Sequence, residues 1–575
     1  MRLVEALEIC RQPAPPDAPR FRAALLCGFT PLHLKTFFEA ELRRRLPGRA
    51  VRVETGLYGD LLGNIERLGE VEAAAVALEW ADLDPRLGVR QLGGWTRAGL
   101  EDICREAPRR LEAIGNALER LAAAGTVAAV SLPTLPLAPA PDGPSWRSGT
   151  LELALRESLD RFAAALAQRP GLHVAGAASL AAVSPLTERF DLRSELSAGF
   201  PYTLAHAGAL AAQLANLLAP AAPKKGLITD LDNTLWSGIV GEIGPAAVSW
   251  DLDRHSHEHG LYQQMLAALA DRGVLLAAAS KNDPEVVQAA LARADLLLPR
   301  DALFPVEAHW GAKSESVRRI LEAWNIGPDA VVFVDDSPME LDEVRRAHPA
   351  VECLLFPAGD PAGVWNLLGR LRDLFAKTAV SEEDLLRAAS IRQNAARRQE
   401  LAAASQSPEE FLAQAGGRIR YSHDRTDPRA LELINKTNQF NLNGRRYTEA
   451  EWNAYVRDPQ VIAIVVHYQD KYGPLGKIAV LTGRPQKERF LVDNWVMSCR
   501  AFSRRIEHQA LAYLFARYGV RELLLDFRPT ERNGPIRSFL AEITGREPDG
   551  TVLLGRSEFE ARCPPLYHNV ETVAG

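Results

Sequence analysis

Apolar runs alternate with helical spacings over the first third of the chain. Phe21–Phe29 is a short apolar run that ends at Gly28, and Leu32–Leu46 after it has helical spacing with a basic face. Ala50–Thr55 and Ala73–Leu78 read as further strands, and Leu118–Leu121 leads through Ala122–Ala124 to another at Thr126–Leu132. Strands alternating with helices predict a first α/β domain over residues 1–185. Its loop Pro133–Pro144, rich in proline and small residues, predicts a mobile surface excursion. Residues 186–222 read as a helical bridge, apolar at helical spacing from Leu204 to Leu218 and closed by the Pro220–Pro223 breaker.

A second α/β unit is predicted over 223–378. Gly226–Thr229 reads as a buried strand of the parallel type, followed by a helix near Gly260–Arg272, a strand Val274–Ala279 and a helix Pro284–Ala294. Lys313 opens a helix that runs to Trp324, and the strand Ala330–Val334 delivers Asp335-Asp336-Ser337-Pro338-Met339-Glu340. Each polar cluster follows a strand, so all converge on one rim of a parallel sheet. Residues 379–417 read as a charged helical connector, with an arginine-rich helix over Leu385–Leu401. A third domain over 418–575 has strands at Val461–Tyr468, Gly476–Leu481, Phe490–Met497 and Glu522–Phe527, with a helix over Ile506–Tyr518. The fold class is thus a multidomain α/β chain.

Composition narrows the partners. The chain of 575 residues carries 67 basic and 73 acidic side chains, a net charge of −6, with no long basic run, which argues against nucleic acid. The six cysteines show no C-x-x-C pairing, as in a reducing compartment. Nowhere do 18 apolar residues run uninterrupted, and no hydrophobic leader is read near Met1, so a cytoplasmic protein with no membrane partner is expected.

The chemistry starts at Lys224–Pro245. Asp230 and Asp232 sit on the turn after the strand, and two close acids repel unless a cation lies between them; magnesium, with its preference for oxygen, suits that place. Asp230 then serves as nucleophile or metal ligand, Asp232 as general acid/base and Thr234 as a hydroxyl donor to phosphate. A polar strand-to-helix turn with an N-cap is the plainer alternative. His255, His257 and His259 alternate nearby, but without a cysteine or a further spaced ligand they read as a solvated loop. In the third domain Asn435–Asn443 and Arg445–Thr448 form an amide-dense block able to face a ligand or to cap itself. Cys499, between Ser498 and Arg500, is either a thiolate favoured by nearby arginines or a buried small hydrophobe.

Four resemblances follow from these residues. Asp230-Leu231-Asp232-Asn233-Thr234, Ser280, Lys313 and Asp335-Asp336 resemble, in order and spacing, the motifs of the haloacid-dehalogenase (HAD) phosphatase superfamily, with its Rossmann-like parallel sheet. The resemblance implies Asp230 as the nucleophile that becomes an aspartyl-phosphate, Asp232 as acid/base, and Ser280 and Lys313 as phosphate-binding residues. It implies a magnesium ion held by Asp230, Asp335 and the carbonyl of Asp232, with Asp336 in support. The element order of 1–185 is similar to an SGNH-hydrolase-like domain. Gly28-Phe29-Thr30-Pro31 stands where that type carries a serine; Asn64 and His206 are either remnants of such a site or, as lone polar residues more often are, groups that satisfy local backbone, and a non-catalytic domain is expected. Residues 418–575 resemble the α+β GNAT acyltransferase fold, although Cys499–Arg505 has no glycine where a phosphate-cradling loop would stand.

Taken together, the HAD motifs, the amide block and Ser498-Cys499-Arg500 resemble the FkbH-type glyceryl-acyl-carrier-protein synthases, with Ile243 and Ser503 departing from the pattern. That resemblance implies capture of the glyceryl group of 1,3-bisphosphoglycerate, a phosphorylated three-carbon acyl donor. It implies removal of phosphate and delivery to the phosphopantetheine thiol of an acyl carrier protein in polyketide-type metabolism. Cys499 would carry the thioester, and Asn435, Asn438, Asn441 and Arg500 would face substrate or the carrier arm. The competing expectation is a HAD phosphatase of a small metabolite with a separately acting acyltransferase-like module.

Overall fold

A computed structural model describes residues 1–575 apart from 15, 17, 145, 300, 378–379, 382–383, 388, 390, 394–407, 499–500, 503 and 574–575. The chain divides into two compact units, Met1–Ala221 with Tyr447–Arg457, and Ala222–Arg446 with Asp458–Gly575. Among the described residues no helix is long and apolar enough to cross a membrane.

The first unit is built on β1 (Arg20–Cys27), β2 (Ala50–Thr55), β3 (Ala73–Ala77), β4 (Val127–Ser131) and β5 (Leu172–Val174). They lie in the order β2-β1-β3-β4-β5, every pair parallel. All five residues of β3 and of β4 are buried, as expected of central strands covered by helices on both faces. One of those helices, Arg97–Ala123, is 27 residues long, whereas the sequence pattern yielded only its end at Leu118–Leu121. Its buried positions Leu100, Ile103, Ala107, Leu111, Ile114, Leu118 and Leu121 recur at helical spacing, with charged residues facing outward. The helix Leu204–Leu218, expected in a bridge, buries Leu210, Ala211 and Leu214 in this unit's core. Ala450 joins the same core, and Glu451 pairs with Arg49.

The loop after β4 corrects an expectation. Thr134 is buried and bonded to Glu79, and the Leu135 carbonyl accepts the Trp80 indole at 2.8 Å. The start of Pro133–Pro144 is therefore pinned to the unit by polar groups that need partners in the interior.

The second unit holds two sheets. In the first, β6 (Gly226–Thr229), β7 (Leu275–Ser280), β8 (Leu303–Ala308), β9 (Val331–Asp335) and β10 (Glu352–Leu355) run parallel in the order β10-β9-β6-β7-β8. Leu227 and Ile228 are fully buried at its centre, each contributing roughly 1.5–3 kcal/mol by burial.

The second sheet is mixed, in the order β17-β16-β15-β14-β13-β11-β18, from β11 (Arg418–Ser422), β13 (Ile462–Asp470), β14 (Gly473–Gln486), β15 (Arg489–Met497), β16 (Glu522–Leu525), β17 (Val552–Gly555) and β18 (Asn569–Val573). β15 and β16 pair in parallel only up to Val492 and Leu525. Beyond that point β12 (Phe440–Asn441) pairs antiparallel with Val496 and Met497. Of the connector over 379–417, much falls outside the described residues, and Pro408–Gln414 is helical.

Candidate active site

Four strand ends of the parallel sheet bring the expected residues together. Asp230 follows β6, Ser280 ends β7, Asp335 ends β9, and Lys313 is the first residue of the helix after β8. Asp230 N still donates to Val334 O at 2.8 Å, so the ladder fixes the nucleophile candidate against β9. The turn is made by Asn233, whose φ of 52° lies in the left-handed region that asparagine tolerates. Its Oδ1 accepts Gly238 N at 3.0 Å, which closes the loop beyond.

Lys313 is the hub. Its ammonium lies 2.6 Å from Asp230, 2.7 Å from Asp335 and 2.7 Å from Glu340, and its side chain is only 3% exposed. Burial works against that charge, but the three carboxylates outweigh it and hold the ammonium above the ordinary lysine value. The acids feel the opposite side of this balance. Burial lifts Asp230 above the usual carboxylate range, with Lys313 pulling down and Asp335 pushing up; burial likewise lifts Asp335 against the pull of Lys313. Asp336, half-buried, is also raised by burial. One ammonium is too little positive charge for this many buried acids.

Oxygens of Asp230, Asp335 and Asp336 lie within 4.8 Å of one another. Three hard donors at that spacing, over-charged and partly desolvated, fit a divalent cation with oxygen preference. The carboxylate of Asp232 is otherwise engaged. Its Oδ1 accepts Trp236 Nε1 at 2.8 Å and Val240 N at 3.0 Å, and its Oδ2 accepts Asn282 Nδ2 at 2.8 Å. The same Asn282 amide donates to Ser280 Oγ at 2.9 Å, tying the two strand ends together. Thr234 is fully buried, and its hydroxyl has no partner among the described residues.

Two contributors were absent from the expected set. Glu340 lies in the first turn of the helix Pro338–Ala347, bridging Lys313 and, at 2.9 Å, Lys281. Burial works to raise it, and the two lysines outweigh burial and hold it below its ordinary value. Asn282 is the other. Both stand within a few residues of a recognised motif, so position after a strand end was the available signal.

His259 corrects the solvated-loop reading. It sits in the helix His257–Asp271, is buried, stacks on Phe356 at 5.1 Å and bonds the Thr234 carbonyl at 3.0 Å through Nδ1. Burial lowers its pKa, and His255 and His257 are exposed. The ring is a packing element behind the loop that follows β6.

At the other end of β6 lies a cavity of about 550 Å³, lined by Lys225, Asp329, Arg429, Asn435, Asn438 and Ser498 among others. Lys225 immediately precedes β6 and Asp230 immediately follows it, so about 16 Å of strand separates them. Asn441 is not brought to this cavity. It is buried, with Nδ2 on Thr437 O at 3.0 Å and Oδ1 accepting Gly444 N at 2.7 Å, so its amide caps the turn. Cys499 and Arg500 lie outside the described residues.

In the first unit Asn64 is a backbone clamp: Nδ2 donates to Leu57 O and Oδ1 accepts Leu57 N, both at 2.7 Å. His206 is buried between Thr134 Oγ1 at 2.8 Å and Ser184 Oγ at 2.9 Å, and burial holds it down to about 3. The Thr30 backbone N–H donates to Gly199 O at 2.8 Å.

No protein-family model matches this chain, and no curated protein matches it either. Among solved structures, it is similar to the N-terminal part of the protein BF1531 from Bacteroides fragilis, which contains a phosphatase domain and was crystallised in complex with Mg. The TM-score is 0.51 at 18% identity, over 66% of this chain and 100% of that one. At that identity the likeness speaks for the fold, a multidomain α/β arrangement with a parallel-sheet core. A match to the calicheamicin glycosyltransferase CalG4, over 68% of this chain and 100% of that one, has 14% identity and a TM-score of 0.13 and carries no argument.

Proposed function

We propose that this chain is a magnesium-dependent phosphoryl-transfer enzyme of the HAD type, with Asp230 as its nucleophile. The observation that carries the reading is the contact of one buried lysine with Asp230 and Asp335 while Asp336 completes a three-carboxylate cluster. Asp230, Asp335 and the carbonyl of Asp232 would hold the magnesium ion, with Asp336 in support, and the ion would supply positive charge to the phosphoryl oxygens when bound. The magnesium in the complex of the similar phosphatase-domain structure supports this choice of cation.

The chain's own residues account for the rest. An Asp230 oxygen forms the bond to phosphorus as the bond from phosphorus to the leaving oxygen breaks, giving an aspartyl-phosphate. Asp232 gives a proton to the leaving oxygen and later takes one from the water that hydrolyses the intermediate. Three donors fix its carboxyl: Oδ1 takes two and Oδ2 one, leaving Oδ2 room for the proton. Lys313 and Ser280 steady the transferring group, and Glu340 steadies Lys313.

The finer reading is transfer of the glyceryl group of 1,3-bisphosphoglycerate to the phosphopantetheine thiol of an acyl carrier protein, with Cys499 as the thioester position. The motif series supports it, as do Asn435, Asn438 and Ser498 around one cavity. Incubation with 1,3-bisphosphoglycerate, magnesium and a holo carrier protein should give a glyceryl thioester by intact-protein mass spectrometry. Cys499→Ala should abolish loading and Asp230→Asn should block phosphate release. Normal loading by Cys499→Ala would sink the thioester role. The separation of Lys225 from Asp230 by a whole strand favours a second reading, an independent phosphatase of small metabolites. It predicts release of phosphate from small phosphoesters with no carrier present and no carrier acylated by any glycerate donor.

A further inference from the structure

Beyond the carboxyl ends of β1 to β4, the first unit contains a cavity of about 1150 Å³. Gly28 and Phe29 reach it after β1, Tyr58 after β2, Glu79–Leu83 after β3 and Leu135–Pro139 after β4. Ligands of open α/β sheets bind in this position. None of Thr30, Asn64 and His206 lines the cavity, and neither does any serine, threonine, cysteine, histidine or lysine among the described residues. The lining is equipped for binding and lacks a nucleophile of the usual hydrolase kind.

Most of its walls are apolar, including Phe29, Trp80, Leu83, Leu137 and Phe190. Its charged groups cancel in pairs, with Arg90 on Glu195 at 2.9 Å, Arg109 on Glu106 at 2.8 Å and Asp84 on Arg86 at 2.6 Å. Glu79 is satisfied by Thr134, Leu135 and Tyr202. Arg110 and Asp82 stand outside these pairs. Arg110 donates through Nε to the backbone carbonyl of Asp82 at 3.2 Å, and its Nη groups have no partner among the described residues. Asp82 accepts Glu79 N on Oδ2 at 2.8 Å, and its Oδ1 packs against Gly28, where a Cβ would lie 1.8 Å away, so a glycine is needed there for the carboxyl to line the cavity.

One cation and one carboxyl, tied together by the Arg110 bond to the Asp82 carbonyl and both lining an apolar chamber, match a molecule with both charges at one end and an apolar body at the other. We propose that this cavity binds an amino acid with a large apolar side chain, its carboxylate on Arg110, its ammonium on Asp82 and its side chain against Trp80 and Phe29. Burial lifts the Asp82 carboxyl to about 7, and an ammonium partner would offset that burial. The volume exceeds the common range for small-molecule pockets, so the body can extend past a single ring.

The test is calorimetric titration of the full chain with L-phenylalanine, L-tryptophan, 3-phenylpropionate and phenethylamine. The amino acids should bind with one-to-one stoichiometry, each analogue about tenfold or more weakly than L-phenylalanine. Arg110→Gln should weaken L-phenylalanine to the level of phenethylamine and leave phenethylamine unchanged. Asp82→Asn should weaken it to the level of 3-phenylpropionate. Phosphate release at the Asp230 site serves as the control for folding, because neither variant belongs to that site. Analogues binding as well as the amino acid, wild-type affinity in both variants, or no saturable binding up to about 20 mM would each overturn the proposal.

Discussion

Glu340 reaches the Lys313 ammonium at 2.7 Å from the helix that begins just after Asp335. The lysine is thereby held from that helix as well as from the strand ends. Lys313→Met keeps the volume and removes the charge, leaving Asp230 and Asp335 buried without a counter-ion. Loss of one partner of a buried ion pair costs about 3–5 kcal/mol. Urea denaturation without magnesium should show that loss, and phosphate release should fall by at least about 10²-fold. Glu340→Gln, at a half-buried position, should produce a smaller loss of both.

Magnesium should stabilise the second unit as well as activate it. A cation at a hundred times its dissociation constant adds about 2.7 kcal/mol to folding stability. Thermal melts should therefore rise with magnesium and return on chelation. In Asp335→Asn the magnesium-dependent rise should disappear; a full rise in that variant would place the ion elsewhere.

Asn282 holds Asp232 at 2.8 Å and Ser280 at 2.9 Å. Asn282→Ala should loosen Asp232, the proposed acid/base, without touching Asp230. A loss of up to about 10²-fold in kcat, with little change in KM, is expected from a displacement of this kind. A change confined to KM would mean that Asn282 contacts substrate.

Two groups in the first unit give opposite pH dependences. Asp82 rises from 3.8 to about 7 on folding, chiefly through burial, so its contribution is full below 3.8 and is lost as pH rises toward 7. His206 falls from 6.5 to about 3 through burial, so its contribution is full above 6.5 and is lost as pH drops toward 3. Each slope is at most about 1.4 kcal/mol per pH unit. Hydrogen exchange in β1 and β3 should show Asp82→Asn gaining relative stability on going from pH 5 to pH 7.5. His206→Gln should gain relative stability on going from pH 6.5 to pH 4.

The site was more legible in the sequence than its surroundings. Asp230, Ser280, Lys313 and Asp335 each stand at a strand end or helix start, and a parallel sheet aligns such positions whatever the loops between them do. Asp232 was legible in place but not in detail, since Trp236, Val240 and Asn282 hold its carboxylate through contacts that a motif does not encode. The chain of Glu79, Thr134, His206 and Ser184 joins residues 22 to 72 positions apart, so local pattern was silent about it. The helix Arg97–Ala123 escaped because Pro108 and a dense run of charges obscure seven apolar positions at regular spacing. Asn441 looked like a ligand group because amide-rich turns and amide-rich sites share a composition; only the partners distinguish them.

The strand Gly226–Thr229 also works as a bulkhead. On the proposed function, phosphate removal would take place at its Asp230 end, while the cavity lined by Lys225 and Ser498 lies at its other end, about 16 Å of strand away. A group that had to visit both ends would then travel over the protein surface or on a tether, and isotopic dilution by unlabelled free glycerate would tell which.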